Sequence, residues 1–181
     1  MLQKKFPALI LLLLITSSLN AQLKDGDNLL GFTLGFWPKG NAPTLGANFE
    51  SQLTQAGIGT ISLGGVFRYY WYTVNYSNGD SRRYAFTTFG VQSNYNFNEI
   101  GDGKFVPFFG LVVGYNNVSH TYTDVTKSGV YVSDISYTSG AWLWAQTGFR
   151  YFFSPRVAGA VRLGLGNFDF NALELGVDFK L

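Results

Sequence analysis

From residue 28 onward, apolar and polar positions alternate one by one, with no sustained helical period and no apolar run long enough for a membrane-spanning helix. Leu30, Phe32, Leu34 and Phe36 share one face of a first segment, opposite Gly31, Thr33 and Gly35. Leu45, Ala47 and Phe49 then oppose Gly46, Asn48, Glu50 and Gln52; Ile61, Leu63, Phe67, Tyr69 and Trp71 oppose Ser62, Gly64, Arg68 and Tyr70. In a fourth segment Ala85, Phe89, Val91, Tyr95 and Phe97 oppose Thr88, Gly90, Gln92, Asn94 and Asn96. The second half repeats the pattern. Phe105, Phe109, Leu111, Val113 and Tyr115 oppose Val106, Phe108, Gly110, Val112, Gly114 and Asn116; Tyr137, Ala141, Leu143, Ala145, Phe149, Tyr151 and Phe153 oppose Gly140, Trp142, Trp144, Gln146, Gly148 and Arg150. Val157, Val161, Leu163 and Leu165 oppose Arg156, Ala158, Ala160, Arg162 and Gly164, and Leu173, Leu175, Val177, Phe179 and Leu181 oppose Ala172, Glu174, Gly176, Asp178 and Lys180. Side chains of a strand point alternately to its two faces, so the reading is all-β with about eight strands.

The connections predict an up-and-down order. Polar stretches near 37–43, 75–82 and 119–134 are mostly longer than the turns near 53–57, 98–104 and 153–156, and the two sets fall at opposite ends of an eight-stranded meander. Long loops at one end and short turns at the other are the asymmetry of outer-membrane barrels.

Alternation by itself leaves open whether the apolar face meets lipid or a soluble core, as in a lipocalin- or avidin-like barrel. Composition decides it. The chain is 18% aromatic with 22 Gly, but only 13% charged. Most strand glycines, Gly31, Gly46, Gly64, Gly90, Gly114 and Gly148 among them, sit opposite the apolar row, mixed with Arg68, Tyr70, Trp142, Trp144 and Arg150. A narrow barrel interior must mix small residues with large ones, whereas a water-facing surface would carry Lys and Glu. Tyr69, Trp71, Tyr115 and Tyr137 lie toward one end of their strands, and Tyr95, Phe97, Phe105, Tyr151, Phe153 and Phe179 toward the other, as interface girdles do. The apolar row therefore faces lipid.

The first residues read as a cleavable signal peptide: Lys4 and Lys5, the apolar run Ala8 to Ile15, then Ala21 before a cut at Gln22. Residues 1–21 are assigned to it and 22–181 to one barrel domain. The chain has no Cys, which excludes a lipoprotein anchor, disulfides and thiolate metal sites. A net charge of +2 is too small to point to nucleic acid.

On these features the chain resembles the small bacterial outer-membrane β-barrels, OmpX-, OmpA- and OmpW-like, over residues ~28–181. The resemblance implies an eight-stranded antiparallel transmembrane barrel in the outer membrane, in contact with its lipids, closing alone as a monomer. The run Leu173, Leu175, Val177, Phe179, Leu181 is similar to the C-terminal signal read by barrel assembly machinery, although family members usually end in Phe. No peptidoglycan-binding domain is expected after the last strand.

Six charged residues share the inward parity: Glu50, Arg68, Arg150, Arg162, Glu174 and Asp178. Charges in a narrow lumen are costly unless paired, so a structural polar network is favoured over a pore lining, with Arg162 facing Glu174 across the last hairpin. Tyr70, Phe108, Trp142 and Trp144 are candidates for an apolar pocket like that of OmpW-like proteins, which would pass small hydrophobic molecules. His120 is the only His. Some small barrels are lipid-modifying enzymes with a Ser and a His on the outer rim, but Ser119 and His120, as strand neighbours, point to opposite faces, with Asp124 close by in sequence. No catalytic residue, metal site or cofactor is assigned. The expected role is non-enzymatic: envelope structure or surface adhesion, with the 119–134 loop offered to an extracellular partner.

Overall fold

The computed structural model describes residues 23–37, 42–75, 80–100, 103–123, 138–167 and 172–181. Eight strands follow in chain order: β1 (Asn28–Trp37), β2 (Ala42–Ala56), β3 (Gly59–Asn75), β4 (Ser81–Phe97), β5 (Phe105–Thr123), β6 (Gly140–Ser154), β7 (Val157–Gly166) and β8 (Ala172–Lys180). Each pairs antiparallel with its neighbours in sequence, and β8 returns to β1 through eight registered pairs from Leu29↔Lys180 to Phe36↔Leu173. The barrel is closed. Closure leaves no strand edge unpaired within hydrocarbon, the condition for β-structure to cross a bilayer.

The two faces differ as their sequences require. Outward residues are open, Leu34 at 66%, Leu111 at 65% and Leu175 at 61% exposure, whereas inward Arg68 and Trp142 are at 0% and 1%. An apolar exterior around a polar interior inverts a soluble protein and suits a bilayer. Glycines make the narrow interior possible. A Cβ at Gly164 would overlap the Trp144 indole, and one at Gly46 would press on Thr33 and on Arg68, which lies across it.

Strand length sets the shape. About 9–11 tilted residues cross a bilayer, which β1, β7 and β8, of 10, 10 and 9 residues, just match. β3, β4 and β5 have 17, 17 and 19. Their surplus lies at the end with the longer connections, here called outer. Pairing of β2 with β3 reaches Thr44↔Tyr70 and that of β5 with β6 reaches Asn116↔Gly140, while β3–β4 and β4–β5 continue to Asn75↔Ser81 and Ser81↔Thr123. A three-stranded extension thus rises beyond the barrel proper.

Several boundaries differ from the sequence reading. β2 runs to Ala56, leaving a two-residue turn, Gly57-Ile58, with Gly57 at φ 59°, the conformation of a primed hairpin turn. β6 runs to Ser154, and the register slips between Phe152 and Ser154. Arg156, given inward parity on the seventh segment, precedes β7, which begins at Val157, and lies exposed in the turn. Lys180 sits half-buried at the rim, paired with Asp27 at 2.5 Å. The stretch expected as a loop from 119 begins as strand, because β5 continues to Thr123. Tyr137 and Asp124 lie outside the described residues.

Candidate functional site

The site is the barrel interior, and it is layered. At mid-height lie the six charged residues, all buried. Arg68, on β3, donates from Nε and Nη2 to the two carboxylate oxygens of Glu174 on β8, at 2.5 and 2.8 Å. Its Nη1 donates to the carbonyls of Ala47 and Phe67, and its Nη2 also to Asn48 Oδ1 at 2.8 Å. Arg162 stands opposite Glu174 in the β7–β8 register and donates to it from Nη1 at 3.3 Å. On the periplasmic side of this group, Arg150 of β6 donates to Asp178 on β8, Asn96 on β4 and Glu50 on β2, each at 2.6 Å. Glu50 also accepts from Gln52, Ser62, Asn94 and Asn96.

These bonds are what make buried ions tolerable. Taking a charge out of water costs several kcal/mol unless partners replace its hydration shell, and Glu50 accepts five hydrogen bonds. The three arginines cancel Glu50, Glu174 and Asp178. The guanidinium carbons of Arg150 and Arg162 lie 4.5 and 5.5 Å from the centre of the Phe108 ring, adding cation–π attraction.

An aromatic layer lies on the outer side of the charged residues. Trp142 and Trp144 stack at 5.4 Å, Tyr70 and Phe86 at 4.5 Å and 5° between planes, and Tyr72 and Tyr84 at 5.2 Å. Tyr70, Trp142 and Trp144 are fully buried in one cluster with Phe86, Tyr84 and Val112. Phe108, expected to join them, does not. It pairs with Gly148 while Trp144 pairs with Val112, so it sits four residues lower on β5, among the arginines.

At the periplasmic end, Leu23 is buried with Leu29, Val106, Phe152 and Ala158. A turn with Gly26 at φ 84° seats it, and Asn98 Nδ2 donates to its carbonyl at 2.9 Å. Beside it is a cup of about 360 Å³ lined by Gln55, Thr60 and Asn98 among others. Sequence reasoning missed this segment, because one apolar residue ahead of the first strand carries no period. It also passed over Tyr84 and Phe86, although Phe86 has the parity of inward Thr88.

His120 is exposed on β5, its ring tilted against Tyr84 at 6.3 Å. Ser119 belongs to the opposite face, its hydroxyl 3.5 Å from the Ala85 carbonyl. Among the described residues no group of His, Cys, Asp and Glu is arranged to hold a metal ion.

No protein-family model and no curated protein matches the chain. Solved structures do. The outer membrane protein OprG of Pseudomonas aeruginosa is similar at TM-score 0.58 and 14% identity, over 88% of this chain and 92% of that one. The N-terminal β-barrel domain of Pseudomonas aeruginosa OprF gives 0.56 at 12% identity, over 87% and 98%. Ail, the attachment invasion locus protein of Yersinia pestis, in complex with the heparin analogue sucrose octasulfate, gives 0.56 at 9% identity, over 87% and 100%. At such identities the likeness is one of fold. The fold is that of small bacterial eight-stranded outer-membrane β-barrels, and the apolar outer wall makes this chain an outer-membrane barrel too.

Proposed function

We propose that this protein is a non-enzymatic outer-membrane barrel with a plugged interior, whose work is done on its outer surface: envelope structure or adhesion through the β3–β5 extension. One observation carries the reading. Arg68 and Glu174 join non-neighbouring strands across the lumen, as Arg150 does with Glu50 and Asp178, and an aromatic layer lies directly outside them. An ion passing through must break buried charge pairs, each break leaving a bare charge in a low-dielectric space. The extension supports the surface role, since it lifts β-structure clear of the bilayer toward extracellular partners.

Planar-bilayer recording of the purified protein tests the plug: no reproducible conductance is expected, and steady single-channel steps defeat it. Adhesion is read from a strain lacking the gene, complemented with the full chain or with residues 73–83 replaced by a short turn. Binding to host surfaces restored by the first and not the second is expected. Lipid mass spectrometry with His120→Ala tests for outer-leaflet chemistry, and an unchanged profile is expected.

Passage of small hydrophobic molecules is a second reading, favoured by a lipid-facing trough of about 660 Å³ over β8, β1 and β2, with Gly46 and Gly176 in its floor. Against it stands the unbroken β8–β1 pairing. Uptake by a deletion strain distinguishes the two.

A further inference from the structure

The outward face of the strands carries a single charge. Every other charged residue in the eight strands has inward parity, but Arg83 of β4 alternates with Ala85, Thr87 and Phe89 on the outward face. β4 pairs on both sides without a register shift, so this parity holds from the exposed Phe89 and Val91 up to Arg83. Its neighbour Arg82 turns inward and lies over the Tyr84 ring at 5.5 Å. Arg83 is exposed and, among the described residues, has no hydrogen bond, ion pair or ring contact.

The residues around it fix its depth and its chemistry. Arg83 pairs with Thr73 on β3 and Thr121 on β5, both exposed, so two hydroxyls flank it on the same face. One pleat repeat nearer the barrel, roughly 7 Å along the strand, the next outward row is Trp71, Ala85 and Ser119. Trp71 lies against Tyr69 at 5.4 Å, and outward Trp and Tyr sit where hydrocarbon gives way to headgroups. An arginine just beyond that level reaches the headgroup layer with its own side chain. Neither row contains a carboxylate. The patch is a cation between hydroxyls, and it meets the layer of the bilayer that holds phosphate.

We infer that Arg83, flanked by Thr73 and Thr121, is a binding site for the phosphate of a lipid headgroup in the outer leaflet. A guanidinium presents paired N–H donors that match two phosphate oxygens, and no protein group competes for this one. A neutral sugar headgroup would serve the hydroxyls and leave the charge unmatched. An acidic protein would have to come in sideways along the bilayer surface, because the outward face turns away from the barrel axis. The inference rests on the outer-membrane location alone and is independent of the plugged interior and of the adhesive role.

The test uses the full-length mature protein, isotope-labelled at arginine, in phosphatidylglycerol bilayers and phosphate-free buffer. Solid-state nuclear magnetic resonance is expected to show the Arg83 guanidinium nitrogens dephased by lipid phosphorus, with Arg83→Gln serving to assign their signal. The second arm uses bilayers of a phosphorus-free galactolipid bathed in inorganic phosphate, and no dephasing is expected there. No dephasing in the first arm overturns the assignment, and dephasing in the second overturns it in favour of a free-anion site. An independent readout is native mass spectrometry of the protein released from mixed phosphatidylglycerol–galactolipid bilayers. Arg83→Gln is expected to weaken phosphatidylglycerol retention about fivefold, and Arg83→Lys to weaken it less. Equal retention by the parent and Arg83→Gln overturns the lipid assignment, and a simultaneous loss of host-surface binding reassigns the residue to a protein partner.

Discussion

Arg68 and Glu174 are 106 positions apart in sequence and lie on strands that do not touch, yet two hydrogen bonds of 2.5 and 2.8 Å join them through the middle of the barrel. The pair acts as a cross-brace. Glu174→Ala leaves Arg68 and Arg162 without their carboxylate, and the loss is expected to be about 3–5 kcal/mol. Equilibrium unfolding from lipid vesicles in urea measures it. Replacing the trio together by Arg68→Met, Arg162→Met and Glu174→Leu is expected to recover most of that loss, because no bare charge then remains.

Gly64 and Gly65 are adjacent and opposite in consequence. A Cβ at Gly64 runs into the Phe49 carbonyl and the Glu50 backbone, whereas one at Gly65 finds only the Gly90 carbonyl at 3.8 Å. Gly64→Ala is expected to cost about 1–3 kcal/mol or more by overpacking. Gly65→Ala should stay within about 0.5 kcal/mol. The same urea titration compares them, and equal effects would contradict the inward assignment of Gly64.

Leu111 stands on the outer wall between Phe105 and Tyr115 of β5, more than half exposed to lipid. An Arg at a bilayer midplane costs a membrane barrel about 2–4 kcal/mol, and Leu111→Arg is expected to show a loss of that size. Thr121→Arg, outward on the same strand but in the extension, is expected within about 0.5 kcal/mol of the parent. The contrast locates the bilayer on the strand.

Leu23 holds the periplasmic end together. Leu23→Ala removes its side chain from the cluster with Phe152 and Val106, for about 2 kcal/mol. Because the segment can open locally, the readout is hydrogen exchange. The amides of Gly26 and Gln52, which bond the carbonyls of Gln52 and Asp27, are expected to exchange roughly 30-fold faster. Outer-half amides such as Leu143 should be unchanged.

The strand count, the order and the side facing lipid were legible in the sequence because one rule applies at every step: lipid and lumen demand different side chains, and the pleat presents them alternately. Strand ends were less legible. Outside the bilayer a ladder continues through polar residues, so Thr54 and Gln55 read as a turn though they lie in β2. Arg156 fits the parity of the seventh segment, yet β7 starts only at Val157 and leaves it in the exposed turn. Depth was legible only between strands joined by a connection short in sequence. Arg162 and Glu174 were brought together that way, whereas Phe108 and the two tryptophans share a parity but stand at different heights, which the β5–β6 register alone decides.

The unequal strands give the protein a slanted crown. From Asn116 to Thr123 the tall side climbs roughly 20 Å along the strand beyond the last β5–β6 pair, while β1 ends at Trp37, β7 at Gly166, and β8 begins only at Ala172. Among the described residues the outer end is therefore lopsided: along the barrel axis the β3–β5 ladder is the first met, and the ends of β7, β8 and β1 lie below it.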